Sequence, residues 1–502
     1  MKEVISDNEL KEIMIKAVNL ICDAVGSTLG PSGNNVIIDN TLSPYITNDG
    51  ATIARSISSS DKRINAILEI VKEASLKTDK EVGDGTTTTL VLLQSIFNEG
   101  LKEINEGKDP IFLKKELNNL LNIIIEKINK KKKNPAKEDL LKIAYTSSND
   151  RDIANLATTL YLKMGNKYSI RLDESKNETY YEIKKGYVIE DVDVPNLYLE
   201  NKETIELNNV SLLLLDGYLS NLELISDILN ESLTRDKNLI ILADDYSDEV
   251  KNELISYNLN MNKNIFVFKI PGYGSHKNDL ENDLLNLTDV KKINIDYEQA
   301  KYEDLGNIEK IEIRKDNITL LINKNVHNYV NKLKKELETS NEYEKELLEN
   351  RISKLEKGIA TIYVGGNTKT EIKEKIMRFE DALCSLEVAK YGIVKGEGLV
   401  FLEISESIGN KILSKSLEVP FIKILKNSGY EYKDIKDKII KSKYQKIFNL
   451  EKGILEPIEN NIIDPALVLI ESIRNAISIA TLLLTTNYLV INEEVKIDNN
   501  II

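Results

Sequence analysis

The feature that most constrains this chain is a glycine-rich turn joined to a long apolar run. Gly83-Asp84-Gly85 is followed by four threonines at residues 86–89 and by the apolar residues 90–97. Glycine permits a tight turn, and the apolar run predicts a buried helix that begins at the threonines. The first turn of a helix carries unpaired N–H groups and partial positive charge, which suit an anion. A carboxylate there would repel a bare phosphate, so the pattern predicts phosphate bound together with a metal ion.

An ordinary capped helix is the alternative interpretation of this turn, because Asp and Thr are common N-cap residues. Four threonines in succession are poor helix formers, however, which indicates a reason other than folding. The turn is not a P-loop, since no Gly-Lys-Ser/Thr follows the glycines at the required spacing.

Two further turns, Gly30-Pro31 and Asp49-Gly50, lie in the same predicted helical region. Each is an ordinary turn dipeptide by itself. Together with Gly83-Asp84-Gly85, they place two aspartates beside glycine turns. Carboxylates that are brought together need a cation or protons. The three turns therefore favour a pocket for a nucleotide and a metal ion.

Size and charge limit the classes of function that this chain can serve. Its 502 residues, 41% of them hydrophobic, predict two or three domains, and its net charge of −14 argues against a nucleic-acid binder. The lysine run at residues 130–133 is interpreted as a solvated linker. The apolar run at residues 466–485 contains charged residues, so it predicts a buried helix and no membrane span.

The chain has too few cysteines and histidines for a zinc site or a histidine-based catalytic triad to be expected. Cys22 and Cys384 lie in apolar helical patterns, which predicts core thiols in a reducing compartment. His276 and His327 are far apart, so neither a histidine-based triad nor a zinc site is expected. The chain opens without a long apolar stretch, and we therefore expect a cytoplasmic protein.

The pattern along the chain predicts a helical domain interrupted by an insertion. Residues 9–27 and the segment from 370 onward have helical spacing, whereas residues 186–330 alternate short apolar strands with helices. The mixed stretches at 136–185 and 359–392 are then the two halves of a connecting domain.

Short motifs spread over nearly the whole chain resemble those of one family, in that family's order. The family is the group I chaperonins, the GroEL-type ATP-driven folding machines. The motifs are TLGPSGNNV at 28–36, ITNDG at 46–50, GDGTTT at 83–88, IPGYG at 270–274, EDLG at 303–306, RFEDAL at 378–383, IDP at 463–465 and TTN at 485–487.

The resemblance implies a multi-domain α+β protein with the chaperonin fold. A mostly helical equatorial ATPase domain would comprise both chain ends, residues 1–134 and 393–502. A small α/β intermediate hinge domain would comprise residues 135–185 and 359–392. An α/β apical domain, residues 186–358, would be inserted between its halves.

The implied function is that of an ATP-dependent molecular chaperone, and hence of an ATPase. Such a protein binds non-native polypeptide at its apical surface and promotes folding inside a closed ring chamber. The implied partners are further copies of the chain in a single or double ring, usually seven-fold, together with unfolded clients and a small co-chaperonin lid. Neither nucleic acid nor membrane is expected. The alternative is a ring-forming binding or scaffold protein with weak or lost ATP turnover.

The resemblance also assigns roles to single residues. Asp381 would act as the base or position the attacking water, Asp49 would lie near the γ-phosphate, and Asp84 would bind Mg²⁺. Further contacts to ATP are predicted at Thr28, Leu29, Gly30, Pro31, Gly85, Thr86, Thr87, Thr88, Gly396, Glu397, Asn449 and Asp464. K⁺ is a further candidate ion, although Asn48 stands where the family has a lysine beside its potassium site.

Two departures from the family pattern bear on function. Glu397 replaces the middle residue of a Gly-Gly-Gly stretch, so it either weakens ATP binding or points away. The predicted client-binding helices carry more polar residues than is usual. Client contact is predicted at Val194, Tyr198, Leu199, Ile225, Leu229 and Ile255, with packing in the core as the alternative.

Overall fold

The computed structural model describes residues 2–39, 44–199, 204–235, 237–261, 263–322, 324–450, 452–457 and 462–492. The chain forms two compact units, each built from segments that are distant in sequence. Unit 1 comprises Met1–Tyr161, Glu174–Glu178 and Val364–Ile502, and unit 2 comprises Leu162–Asp173 and Thr179–Tyr363. The predicted division into five segments and three domains stays a prediction.

Helices dominate unit 1 and alternate with strands in unit 2. The described α-helices are α1 Asp7–Gly26, α2 Gly50–Ser56, α3 Lys62–Val82, α4 Thr86–Asn105, α5 Pro110–Lys131, α6 Lys137–Ser148, α7 Arg151–Met164, α8 Asn196–Leu199, α9 Ser226–Thr234, α10 Asp248–Met261, α11 Ser275–Thr288, α12 His327–Thr339, α13 Glu342–Lys357, α14 Lys369–Ala389, α15 Leu399–Ser405, α16 Lys411–Asn427, α17 Tyr432–Lys441 and α18 Ala466–Leu484.

The strands are short, apart from one long strand in unit 2. They are β1 Lys2–Ser6, β2 Val36–Ile38, β3 Tyr45–Thr47, β4 Ile170–Glu174, β5 Tyr180–Lys184, β6 Tyr187–Glu190, β7 Ile205–Asp216, β8 Tyr218–Leu219, β9 Asn238–Ala243, β10 Asp245–Tyr246, β11 Ile265–Lys269, β12 Lys292–Asn294, β13 Gly306–Ile313, β14 Asn317–Leu321, β15 Ile359–Val364, β16 Ile393–Lys395, β17 Lys446–Asn449, β18 Ile454–Pro457, β19 Ile463–Pro465 and β20 Tyr488–Asn492.

The core of unit 1 is assembled around α18. This helix packs against α3, α4 and α5, and its apolar side chains are buried on almost every face. In the described residues it is the one helix long and apolar enough to cross a membrane, but 78% of its apolar window is buried inside the protein. The prediction of a buried helix at this position is therefore confirmed.

Two short antiparallel pairings in unit 1 join distant parts of the sequence. In the part of the chain that the structure describes, the first strand, β1, pairs with the last, β20, and Val4 lies opposite Val490. Strand β16 pairs with β19, with Val394 opposite Asp464. The second pairing brings the turn after β16 to the segment that carries Asp464.

Unit 2 is organised on a seven-stranded mixed sheet. The order is β11-β9-β7-β13-β14-β6, and β12 also pairs with β7. The pairings among β7, β9, β11 and β12 are parallel, whereas β13, β14 and β6 pair in antiparallel fashion. Apolar residues on the two faces of this sheet form separate cores, as expected for a sheet covered on both sides.

The structure favours core packing, the alternative interpretation of the predicted client contacts in unit 2. Five of the predicted side chains are buried in this conformation, and Ile255 is partly buried against the core, so client contact at these residues stays a prediction. Tyr198, for example, packs edge-on against Phe266 at 4.9 Å between ring centroids. The buried five are Val194, Tyr198, Leu199, Ile225 and Leu229.

Apolar side chains on neighbouring positions of unit 2 do reach the surface. They belong to the same or to neighbouring elements, and their exposure ranges from 37% to 68%. The exposed residues are Leu197, Tyr218, Leu224, Tyr257 and Leu259. Helices beside a sheet turn their strongest apolar face inward, which leaves these residues for outside contacts.

Candidate functional site

A cavity of about 730 Å³ in unit 1 brings together residues that are distant in the sequence, from Thr28 to Ser472. All predicted nucleotide, metal and catalytic residues line it except Gly396, which lies beside it. The predicted residues in its lining are Thr28, Leu29, Gly30, Pro31, Asp49, Asp84, Gly85, Thr86, Thr87, Thr88, Asp381, Glu397, Asn449 and Asp464. Gly396 donates its N–H to the Ile462 carbonyl at 2.9 Å.

The glycine turn has the geometry that its sequence predicts. Gly83 ends α3 with φ +65°, and Gly85 precedes α4 with φ +79°, both in the left-handed region that favours glycine. A Cβ on Gly85 would lie 2.6 Å from Val468 and 2.8 Å from Ser472. The turn is therefore packed closely against α18, which fixes the threonine-rich first turn of α4 at the cavity wall.

A second wall of the cavity is formed by the start of α2. The Asp49 side chain accepts hydrogen bonds from the backbone N–H groups of Ala51 at 3.3 Å and Thr52 at 2.7 Å. This N-cap holds the carboxylate beside the cavity. The hydroxyls of Thr28 and Thr87, which also line the cavity, lie 3.4 Å apart. Hydroxyl and backbone donors thus surround the space next to Asp84.

Two serines that the sequence analysis did not single out hold the Asp84 carboxylate. Its Oδ2 accepts a hydrogen bond from Ser385 at 2.8 Å and another from Ser147 at 3.3 Å. Ser385 follows Asp381 by four residues on α14, so both side chains share a helix face. Helical spacing from Asp381 was the signal that could have identified Ser385, whereas nothing comparable pointed to Ser147.

The carboxyl groups of the cavity interact strongly with one another. Burial raises the pKa of Asp381 well above its ordinary value, and the charges of Asp84 and Asp49 raise it further. Burial also raises the pKa of Asp84, against hydrogen bonds from Ser385, Gly85 and Ser147 that lower it. Burial and then the charge of Asp84 raise the pKa of Asp464 to about 7. Such a cluster favours a ligand that brings positive charge.

The donor set fits Mg²⁺ bound together with phosphate better than a metal held by protein alone. Within the described residues, no group of three or more His, Cys, Asp or Glu side chains is placed to hold a metal ion. Mg²⁺ usually takes one or two carboxylates and completes its shell with phosphate oxygens and water. Asp84, with Asp49 and Asp381 nearby, provides carboxylates of this kind.

Four basic residues line the cavity and were also missed. They are Lys142, Arg151, Arg378 and Lys452. The Arg151 guanidinium lies 5.8 Å from the centroid of the Tyr145 ring. Cations around a cavity attract phosphates by long-range electrostatics. Arg378 opens the RFEDAL motif, so the motif could have identified it, but the other three carried no recognisable pattern.

Gly50 allows the two walls of the cavity to approach each other. A Cβ at this position would collide with the Thr87 hydroxyl and lie 2.7 Å from the Thr86 hydroxyl. We expect Gly50→Ala to displace these donors and weaken ATP binding about tenfold, since overpacking usually costs 1–3 kcal/mol. Titration calorimetry with ATP measures the change.

Gly26→Ala is the matched control for this prediction. The nearest atoms to its added Cβ would be in the side chains of Val91 at 3.2 Å and Lys423 at 3.3 Å, and no threonine is among them. We expect ATP affinity close to that of the wild type. Equal affinities of Gly50→Ala and Gly26→Ala for ATP would contradict a role for the close approach at Gly50.

Comparison with known proteins identifies the family to which this architecture belongs. The model of the TCP-1/cpn60 chaperonin family matches residues 21–220 and 199–494. The chain belongs to this family. The chaperonin is 31% identical over 527 residues to "Chaperonin GroEL" of Onion yellows phytoplasma (strain OY-M), and the alignment covers 99% of this chain and 98% of that protein.

Solved structures show the same fold over the full length of the chaperonin. Two crystal forms of the chaperonin gp146 from the bacteriophage EL 2 (Pseudomonas aeruginosa), both in the presence of ATP-BeFx, match with TM-scores of 0.76 and 0.69. Each is 21% identical and covers 98% of this chain and 99% of that chain. The predicted resemblance to GroEL-type chaperonins and the predicted fold class are both confirmed.

Proposed function

We propose that this chaperonin is an ATP-dependent molecular chaperone, which hydrolyses ATP and promotes the folding of non-native polypeptide inside a closed ring. The observation that carries the proposal is the convergence of Asp49, Asp84 and Asp381 in one cavity with the threonines of α4. Family membership and the full-length relative named GroEL support it. A scaffold with lost turnover is less favoured, because the three carboxylates and the threonines proposed to bind and hydrolyse ATP line one cavity.

The phosphate end of the cavity is proposed to lie at the first turn of α4. Phosphoryl transfer depends on positioning and charge neutralisation more than on covalent chemistry. Gly85 and residues 86–88 would offer backbone N–H groups and hydroxyls to phosphate oxygens, and residues 28–31, which also line the cavity, would contact the nucleotide as well. Mg²⁺ held by Asp84 would neutralise phosphate charge and lower the pKa of the neighbouring Asp381.

Asp381 is proposed to position the attacking water and to accept its proton. Its carboxyl lies near the carboxyl groups of Asp84 and Asp49, whose charges raise its pKa. A general base works best when its pKa lies near the working pH, and burial moves a carboxyl in that direction. Asp49 is proposed to orient the γ-phosphate from the start of α2.

The nucleoside is proposed to occupy the other end of the cavity. Asp464 would contact the ribose, and Asn449 would lie near the adenine. Ile424, Leu450 and Ile462 line the cavity as well and provide apolar surface for a flat ring. K⁺ as a second ion remains part of the proposal.

The proposed oligomeric state and partners of this protein are inferred from its membership of the chaperonin family. We propose a cytoplasmic homo-oligomeric ring, seven-fold in symmetry, that is closed by a small co-chaperonin and divided into equatorial, intermediate and apical domains as predicted. Clients would contact the exposed apolar residues of unit 2, such as Leu197, Tyr257 and Leu259, because their surface is available.

Refolding of a chemically denatured enzyme tests the proposal directly. The chaperonin should retain the denatured enzyme without nucleotide and release active enzyme when ATP, Mg²⁺ and K⁺ are added, with the co-chaperonin of the same host present. Phosphate release is followed in the same mixture. Removal of Mg²⁺ with a chelator should stop both phosphate release and the recovery of enzyme activity. Enzyme activity that recovers equally well without ATP would favour the scaffold alternative.

A further inference from the structure

The four basic residues that line the cavity in unit 1 differ in whether a carboxylate already neutralises their charge. Three of them form ion pairs with acidic side chains. These pairs are Lys142–Asp139 at 3.3 Å, Lys452–Glu456 at 2.6 Å and Arg378–Glu374. The fourth, Arg151, has no carboxylate within ion-pair distance in the part of the chain that the structure describes. Its positive charge is therefore available to an anion in the cavity.

The guanidinium of Arg151 keeps its hydrogen-bond donors accessible. Arg151 is exposed, and its guanidinium carbon lies 5.8 Å from the centroid of the Tyr145 ring, which lines the same cavity. A cation above an aromatic ring is attracted by the electrons of the ring, and this attraction does not use the N–H groups. Five N–H donors in a planar fork match the oxygens of a phosphate. A phosphate group is thus the ligand that suits Arg151 best.

The turn that carries Arg151 is fixed to two other segments that line the cavity. Ser147, near the end of α6, donates a hydrogen bond to the Asp84 carboxylate at 3.3 Å. Asn149 ends α6 with φ +50°, and its side-chain amide donates to the Pro31 carbonyl at 3.0 Å. Arg151 begins α7 directly after this turn. Because Asp84 is the residue proposed to hold Mg²⁺, these bonds place the turn at the phosphate end of the cavity.

Helix α14 joins the same turn to the residue proposed to position the attacking water. Arg378 on this helix donates a hydrogen bond to the Ser148 carbonyl at 3.4 Å. Asp381 follows Arg378 by three residues, so the two side chains lie on one face of α14, and both line the cavity. The turn that carries Arg151 therefore meets the helix face that carries Asp381. This places Arg151 on the side of the phosphate that would be attacked.

We propose that Arg151 binds the γ-phosphate of ATP and so allows this chaperonin to distinguish ATP from ADP. The inference rests on the proposed function, because it requires ATP with its phosphates at the first turn of α4. Charge-assisted hydrogen bonds from a guanidinium to a phosphate can form in parallel pairs, which adds both affinity and geometric selectivity. Positive charge at the transferred phosphoryl group also stabilises the transition state, so Arg151 should support hydrolysis as well as binding.

The test compares β,γ-imido-ATP, which is not hydrolysed, with ADP in calorimetric titrations that contain Mg²⁺ at one fixed ionic strength. We expect Arg151→Gln to bind β,γ-imido-ATP about tenfold more weakly than the wild type does, because hydrogen bonds to charged groups contribute more than neutral ones. ADP lacks the γ-phosphate, so its affinity should stay within about twofold. Arg151→Lys keeps the charge without the planar fork and should recover part of the lost affinity.

Lys142→Gln is the matched control for Arg151→Gln. It removes a cation that lines the same cavity but is already paired with Asp139. We expect Lys142→Gln to weaken the binding of β,γ-imido-ATP and ADP by the same small factor, since the loss of a distant charge does not distinguish the two strongly. Arg151 is exposed, so Arg151→Gln should fold, and circular dichroism verifies this before the titrations.

The outcomes separate this inference from the proposed function. Equal weakening of β,γ-imido-ATP and ADP binding in Arg151→Gln would show that Arg151 acts through long-range charge or on another phosphate, and would overturn the inference. Unchanged binding of both nucleotides would overturn it as well. A wild type that hydrolyses ATP would leave the proposed function intact in either case. Absence of nucleotide binding by the wild type would overturn both.

Discussion

Replacing Asp381 with asparagine should lower steady-state ATP hydrolysis at least about 100-fold while ATP binding changes little, because a positioned general base contributes 10²- to 10⁴-fold. Asparagine has nearly the shape of aspartate but cannot take a proton from water. Asp381 lies beside Asp84 and Asp49, whose charges act on it. Phosphate release measures turnover, and calorimetric titration with ATP measures binding.

The neighbouring residue provides a matched control for Asp381→Asn. Glu380 is exposed on the same helix, so Glu380→Gln removes a carboxylate one position away without emptying the cavity. We expect turnover within about twofold of the wild type, as is usual for surface changes. Near-normal turnover in Asp381→Asn would show that another group activates the water. A parallel loss of ATP binding would show that Asp381 acts mainly on affinity.

The free energy of unfolding should be higher in Glu397→Gln than in the wild type, and the difference should grow between pH 5 and pH 8.5. The folded chain raises the pKa of Glu397 from 4.5 to about 8. Below pH 4.5 both the folded and the unfolded chain keep the proton, so the shift has no effect. Between pH 4.5 and 8 the unfolded chain releases the proton while the folded chain retains it, which destabilises the fold.

Above pH 8 this destabilisation reaches its full size, on the order of a few kcal/mol for a shift of this magnitude. Glutamine does not titrate, so the free energy of unfolding of Glu397→Gln should not fall in this way as the pH rises. Urea unfolding of both proteins without nucleotide, at pH 5 and pH 8.5, measures the difference. Glu380→Gln serves again as the control and should follow the wild type at both values. A difference that is the same at both pH values would contradict burial of a titrating Glu397.

Local signals in the sequence were sufficient to predict the turns that form the cavity. Gly83 and Gly85 adopt left-handed backbone, and Asp49 caps α2, because glycine and aspartate have these preferences in any protein. The resemblance to the family motifs RFEDAL and IDP also predicted Asp381 and Asp464 as site residues, although both are far from the turns in sequence. Local pattern and family resemblance together therefore predicted the main cavity residues.

The other partners of the cavity carboxylates, and the burial of the apolar residues in unit 2, depend on tertiary packing. Ser147 bonds to Asp84 across 63 positions of sequence, and no spacing rule connects two such residues. The predicted client-contact residues of unit 2 show a second limit of local pattern. Ile225 and Leu229 have the composition of a binding surface, but the same composition is what a helix needs to cover a sheet. Sequence alone does not say which apolar face a neighbouring layer will bury.

The pairing of β1 with β20 affects the order in which the two units can fold during synthesis. The first strand of unit 1 finds its partner at residues 488–492, and the central helix of that unit ends at Leu484. Unit 2 is complete at Tyr363, well before these segments leave the ribosome. Domains generally fold as units during synthesis. Unit 2 can therefore fold on the ribosome, whereas unit 1 leaves the apolar faces of its earlier helices without their partners until residues 466–492 have been synthesised, and exposed apolar surface favours aggregation.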